Sequence, residues 1–452
     1  VLITTKKGKI GKPKFTFNTY TGVNKEAKRV DMLSAEQWIA RSKTMIDYQW
    51  VNSGIAGATA DQTVDERRAT FNANNAANVA DLGPTEFNTG YMYDPRWDIE
   101  GHPGLDYINW QDVIFRTGLF NNYQLSASGA TEMVNYYVSG NYQKNKGYII
   151  GTDYSLYSAR ANIDVNFSEH LKMGINIAPS YSIKNDPGVE GKDSTIHKAL
   201  GATPVFENTT NEEGEKYTTR YAWGSSTTSM LPLLSRTGKN SMFRNLLSGY
   251  IDYEIIDNLH AKSTINFDNA DNTFEGYTPN DVLSSIRGNY NTYRRQNIVN
   301  ENTLTYSGTI KDNHNFTLLA GQSYNSYQIT SSNLSSGNLY NSYAIETLPS
   351  GSTGSTNSEK NVQISYFGRL QYDFKEKYIL SASIRRDGSS KFGVAQRWGT
   401  FPSLSLGWIV TEENFMKNTT WLNSLKLRAS SGLNGNNNIG NYAAFSTLAS
   451  YN

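Results

Sequence analysis

A two-residue alternation, held over runs longer than an ordinary strand, constrains this chain more than any other feature. Val134, Tyr136, Val138 and Tyr142 fall on one face, and Asn135, Tyr137, Ser139, Asn141 and Gln143 on the other. Ala159, Ala161, Ile163, Val165 and Phe167 alternate with Ser158, Arg160, Asn162, Asp164 and Asn166. Leu171, Met173, Ile175 and Ile177 alternate with Lys172, Gly174 and Asn176. Val362, Ile364, Tyr366, Leu370, Tyr372 and Phe374 alternate with Gln363, Ser365, Arg369, Gln371 and Asp373. Such runs reach the roughly 9–11 residues that carry a tilted strand across a bilayer, against ~5–6 in globular domains. The second face holds Arg, Asp, Asn and Gln where a soluble β-protein would place a second apolar set. The pattern fits a wall with lipid on one side and water on the other.

The connections alternate too. Ser168-Glu169-His170, Ile256-Asp257-Asn258, Lys311 to Asn315 and Lys375-Glu376-Lys377 are short. The links between them are long, spanning residues 24–120, 184–242, 269–293 and 331–360. Short turns at one end and long loops at the other are the habit of bacterial outer-membrane barrels. Counting by period two gives about thirteen strands. Single-chain bacterial barrels usually have an even number, and the chain opens inside an apolar strand, so it is expected to be an internal piece of a longer protein. Phe374 and Tyr378, Tyr253 and Ile255, and Trp408, Phe415 and Trp421 flank short connections, where an interfacial aromatic girdle is expected.

Composition narrows the alternatives. The 452 residues include 30 Tyr, 18 Phe, 8 Trp and 37 Gly, a strand-and-turn balance. A net charge of +1 leaves no basic stripe for nucleic acid. With no cysteine, disulfides and thiolate zinc sites are excluded. Mean hydropathy is −0.56, and no run approaches the ~18 apolar residues of a membrane helix. That excludes helical membrane proteins and leaves barrels open, because strands facing both lipid and water average out as polar. One helix stands out: Ser34-Ala35-Glu36-Gln37 is a capping box, with Leu33 and Trp38 at staple positions, predicting a helix to Tyr48 within the first long connection.

Two segments resemble a known family. The first is Val1-Leu2-Ile3-Thr4-Thr5-Lys6-Lys7-Gly8-Lys9 with Lys14 to Asn18 and Met32 to Glu36. The second runs from Phe367 to Tyr442: Gly368-Arg369-Leu370-Gln371-Tyr372, Arg385 to Gly393, Phe401-Pro402-Ser403, Gly407-Trp408, Phe415-Met416-Lys417, Leu425 to Gly432, Gly435-Asn436 and Ile439 to Tyr442. Their order and wording are similar to the SusC/RagA-like TonB-dependent outer-membrane transporters, and the likeness covers nearly the whole chain. It implies an all-β, 22-stranded transmembrane antiparallel barrel closed by an N-terminal plug, with residues 1–12 ending the plug and 13–452 forming an incomplete barrel. It also implies uptake of a large nutrient across the outer membrane of a Bacteroidota-type bacterium. TonB, whose binding segment lies outside this chain, would supply the energy, and a SusD-like surface lipoprotein would act as lid. No cofactor is implied.

Other chemistry is not supported. His102, His170, His197, His260 and His314 contain no i, i+4 pair. Gly321 to Asn325 begins like a nucleophile elbow but lacks its closing Gly. Asp268 to Asn272 lacks the Gly and Glu of a calcium loop and reads as a polar loop, with calcium a minor alternative. Gly388 and Gly393 are expected to supply positive φ in a tight turn. Arg369, Arg385 and Arg428 are expected in the polar lumen near acids such as Asp373, as ion pairs or as solvated charges. Cargo contacts are expected from exposed aromatics in the long loops: Trp50, Tyr91, Tyr93, Trp97, Tyr217, Tyr221, Trp223, Tyr277 and Tyr290. Such rings pack on sugar C–H faces, although loop packing or lid contact explains each one singly as well. The reading is an importer of oligosaccharides. Its rivals are an oligopeptide importer of the same family, a surface binding or adhesion barrel, and a passive porin.

Overall fold

The computed structural model describes residues 8–75, 81–189, 191, 194–210, 221–224, 235–278, 287–337, 352–416 and 419–445. In chain order the strands are β1 (Gly11–Asn24), β2 (Leu105–Tyr107), β3 (Gly118–Ala130), β4 (Val134–Lys146), β5 (Asp153–Asn166), β6 (Leu171–Asn185), β7 (Val205–Glu207), β8 (Thr237–Ile256), β9 (Leu259–Thr278), β10 (Arg287–Ile310), β11 (His314–Ser336), β12 (Thr353–Phe374), β13 (Tyr378–Ser389), β14 (Trp398–Ile409) and β15 (Lys426–Gly432). All but β2 and β7 join one thirteen-stranded antiparallel sheet in sequence order, the up-and-down topology expected. Residues 1–7, the core of the plug-like segment, lie outside the described residues, as does Tyr217.

Register carries the alternation across the sheet. Tyr136 lies opposite Ile163, Ile163 opposite Ile175, and Ile175 opposite Gly249. One face is thus apolar over neighbouring strands. A row of rings marks its upper edge: Tyr123, Tyr142, Tyr157, Tyr181 and Phe243 are successive partners, with Tyr142 and Tyr157 stacked at 4.9 Å. At the short-turn edge, Phe374 pairs with Tyr378 and Tyr378 with Trp408. From Tyr157 to Phe167 the strand path is about 33 Å, which at barrel tilt spans about the 25 Å of an outer-membrane apolar band. The short turns are tight: Lys311 and Asp312, and Lys375 and Glu376, are successive left-handed residues.

The long connections are shorter than the alternation suggests. Residues 269–278, 287–293, 331–336 and 353–360 are strand, so Tyr277 and Tyr290 are strand residues, not loop residues. Above the apolar belt both faces meet water, so the alternation disappears while the backbone ladder continues. Asp268 to Asn272 lies inside β9, where Asp268 binds Arg244 and Asp271 binds Arg294 from opposite faces; it is neither a loop nor a calcium cradle. Gly388 and Gly393 are not left-handed either. Gly393 has φ −57, and Gly388 is constrained by close approach, since a Cβ there would stand 2.9 Å from the Trp398 ring.

The apolar core lies in a lobe built by two connections. The first carries α1 (Ala35–Val51), α2 (Val64–Asn75), β2 and α3 (Trp110–Ile114); the second carries α4 (Thr195–Gly201) and β7. The Ser34 capping box forms as expected. β2 pairs with β7, and Trp110 Nε1 donates to the Thr203 carbonyl at 3.0 Å. Trp110, Ile114, Ala199, Ala202 and Phe206 form one buried cluster, and Ile39, Ile46, Trp97, Val205 and Tyr221 a second.

Candidate ligand cleft on the polar face

Near the long-loop end, the polar face of β8 to β11 opens into a cleft of about 720 Å³. Register builds it. Asn240 lies opposite Phe274, Phe274 opposite Asn291, and Asn291 opposite Asn333. One step nearer the belt, Met242, Asn272, Tyr293 and Ser331 line up in the same way. One step farther out, Gly238 faces Gly276, and the Asp186 carbonyl and the Phe274 ring lie close against them, where a Cβ would stand.

The rim is charged. Lys184 Nζ holds Asp186 at 2.9 Å, and Gly188 N–H donates to the same carboxylate at 3.0 Å. Burial pushes the Asp186 carboxyl up, but these hydrogen bonds prevail and hold it below the usual range. Arg236 lies against Gly188 at the same rim. Deeper in, Arg244 grips Asp268 through two hydrogen bonds of 2.9 and 2.8 Å.

The carboxamides are incompletely partnered. Asn272 is 7% exposed, and the Oδ1 atoms of Asn240 and Asn272 are buried without a hydrogen-bond partner among the described residues. Farther down the same face, Asn297 and Asn325 share this condition. Each orphaned acceptor costs about 1–3 kcal/mol, which a leucine of similar volume would avoid. Asn245 and Asn269, register partners on the opposite face, share the condition as well.

The nine aromatics singled out from sequence divide. Trp50, Trp97, Tyr221 and Tyr277 are 0%, 4%, 1% and 8% exposed, which corrects the expectation of open faces. Of the eight that are described, Tyr277 lines the cleft. Trp97 Nε1 donates to the Tyr221 hydroxyl at 2.7 Å, and that hydroxyl donates to Asp94 at 2.7 Å. The Trp223 ring packs tilted against both, and its Nε1 donates to the Met92 carbonyl at 2.7 Å. Trp50 packs on Tyr91 and under Arg67, whose guanidinium also lies 4.6 Å from the Tyr93 ring. These rings hold the lobe together because each finds its partner in a distant stretch of chain. Tyr290 projects from β10 on the face away from the cleft, opposite Glu275 and Leu334.

The four expected lumen charges share the polar face, since Asp373, Ile379, Gly407 and Arg428 are successive register partners. They do not pair with one another. Arg385 bonds Asp387 and Ser365 at 2.7 and 2.8 Å, and Asp373 accepts from Asn315 and from Glu376 N–H. Among the described residues no ion pair holds Arg369 or Arg428, and no group of three or more His, Asp or Glu could hold a metal. The Asn ladder went unnoticed in the sequence because its residues are 17 to 42 positions apart. Its only signal is the polar phase of the alternation running past the belt, as in Asn289 and Asn291.

Comparison with known proteins places this wall. No family model matches the chain. A TonB-dependent receptor of Formosa agariphila is 27% identical over 100% of the chain and 39% of that protein. The TonB-dependent receptor SusC of Bacteroides thetaiotaomicron is 27% identical over 99% of the chain and 42% of that protein. A solved structure of the RagAB peptide importer, in its closed-closed state, superposes with a TM-score of 0.71 over 97% of this chain and 49% of that one, at 23% identity. The sheet is thus part of a β-barrel, and the chain spans about two fifths of the length of the curated relatives it matches. In sequence and fold, the chain is similar to the SusC-like TonB-dependent receptors.

Proposed function

We propose that this chain supplies part of the barrel of an outer-membrane importer that takes up a large nutrient, an oligosaccharide, with energy drawn through TonB. The observation that carries the reading is the cleft on the inner face, lined by asparagines and aromatic rings in the arrangement suited to polyhydroxylated ligands. The long loops and lobe face outward, and a SusD-like lipoprotein resting on them would act as lid. Residues 1–12 then end the plug. The segment before β1 supports this, because Asn135, on the inner face, clasps the Gly8 backbone: its Oδ1 accepts from Gly8 N–H at 2.8 Å and its Nδ2 donates to the Gly8 carbonyl at 2.9 Å.

The direct test is to purify the native full-length protein from detergent-solubilised outer membrane and identify what co-elutes, then measure binding to oligosaccharides and oligopeptides. The expected result is a roughly stoichiometric surface lipoprotein and affinity for oligosaccharides. Recovery in the membrane without a partner contradicts the lidded importer, and recovery in the soluble fraction contradicts the barrel. Affinity for peptides alone transfers the protein to the reading that RagAB, a peptide importer, exemplifies.

A further inference from the structure

We infer that the cleft and the wall just below it receive a carboxylate or sulfate group, so that the oligosaccharide taken up is an acidic one, with Arg295 and Arg236 as specificity-determining residues; the inference rests on the oligosaccharide reading above. Charge on this part of the inner face is lopsided. From the Asp268 row upward, β5 to β11 present Arg160, Lys184, Arg244 and Arg295, and Arg236 stands at the rim. Among the described residues, the acids facing them there are Asp186 and Asp268. The next acid along the Arg244 row is Glu359 on β12, opposite Ile329, and it accepts from Asn441 at 2.7 Å.

Lys184 holds Asp186, and Arg244 grips Asp268. The other cations lack such a partner. Among the described residues no carboxylate pairs with Arg160 or Arg236, and Arg295 stands 3.9 Å from Asp268, beyond hydrogen-bond reach. Arg244 and Arg295 flank Ala270 as its register partners, so two guanidiniums share one carboxylate across a short side chain. Their side chains are 40% and 38% exposed, which leaves N–H groups of both open to the lumen. An arginine fork meets the oxygens of a carboxylate or sulfate with parallel, charge-assisted hydrogen bonds, and a cleft lined by one sign of charge concentrates ligands of the other. Lys184 lies opposite Asn240, and four residues of strand, about 13 Å, separate that row from Arg244. A chain bearing acid groups at intervals therefore meets cations at both levels. Phe274 and Tyr293, on the cleft wall between them, give the sugar's C–H face a surface to pack on.

The experiment uses the full-length receptor, with whatever lipoprotein accompanies it, on an array of neutral, sulfated and uronate-bearing oligosaccharides, with oligopeptides as controls. The expected result is binding of sulfated or uronate-bearing chains at least tenfold tighter than of neutral forms of the same backbone, and the array shows which acid is the source. That binding should weaken steeply between low salt and ~0.5 M, where charges are screened. Arg295→Gln should lose at least tenfold in affinity for the acidic chain, and Arg236→Gln should lose affinity as well, with heat-modifiable gel migration showing both folded. Loss in these variants places the selectivity in the receptor rather than in its companion. Should Arg295→Gln misfold, Arg236→Gln and the salt dependence of the unaltered receptor decide. Neutral chains bound as tightly as acidic ones, salt-independent binding, or folded variants of unchanged preference overturn the inference while leaving oligosaccharide import standing. Binding of peptides alone, or of nothing, overturns the oligosaccharide reading and this inference with it.

Discussion

The wall and the lobe bury their apolar side chains in opposite ways. Within the strands of the wall, Ala130, Ala270 and Tyr277 are the buried apolar residues, while Phe17, Leu125, Ile175, Ile251, Ile265 and Leu318 stand 40–62% exposed. In the lobe, Trp50, Met92, Ile114 and Phe206 are essentially sealed. The wall needs no core of its own, because its ladder satisfies the backbone and lipid can cover its apolar face. The lobe stands in water and must make a core, which it assembles from two connections that β3 to β6 separate in the chain. The difference shows that hydrophobic patterning here specifies surroundings as much as packing.

That contrast can be broken most forcefully in the lobe. Trp97→Ala should cost the lobe about 3–5 kcal/mol, read as loss of near-UV dichroism and of cooperative lobe melting. The barrel should keep its heat-modifiable migration; simultaneous loss of both would mean that the two regions form one cooperative unit. In the wall, Ile175→Arg places a charge in the middle of the apolar belt and should cost about 2–4 kcal/mol. Asn176→Arg, one residue along and on the inner face, should change little. Equilibrium unfolding in lipid vesicles compares them, and equal costs would contradict the assignment of faces.

Acid should also separate the regions, by a smaller amount. Burial raises the Asp94 carboxyl, but hydrogen bonds from Arg96 and Tyr221 outweigh it and hold its pKa below the ordinary value. Arg96 bridges Asp94 to Glu207 at 2.7 and 2.6 Å, and so ties the two connections together. A depressed carboxylate contributes stability that is present above its unfolded pKa of ~3.9 and is lost as pH falls toward the lower folded value. Lobe melting should therefore be level from pH 8 to 5 and fall below ~4. Asp94→Asn should flatten the acid limb, and an unchanged limb would assign it to other carboxylates. Smallest of all, Asn135→Ala should cost about 1 kcal/mol, seen as faster hydrogen exchange at Gly8 with little change elsewhere.

Legibility in the sequence followed the same division. β4, β5 and β6 stood out because lipid on one face and water on the other imprint period two on them. The upper parts of β9 to β12 did not, because water on both faces leaves no period to read. Ser34 and Gln37 gave away α1 because a capping box is local. The burial of Trp97 and Tyr221 was invisible because their bond joins residues 124 apart in sequence. The Asn240–Phe274–Asn291–Asn333 row was hidden for the same reason: register makes it, and register cannot be read from any one strand.

The central claim is that this sheet is a lipid-embedded wall with a watery inner face. The chain contains no cysteine, so nitroxide labels can be placed singly at positions 171 to 177 of β6 in the full-length receptor in lipid, and their collision rates with oxygen and with a water-soluble nickel chelate measured. The account predicts period two, with oxygen access highest at 171, 173, 175 and 177 and chelate access at 172, 174 and 176. Uniform access, or the opposite phase, would contradict it.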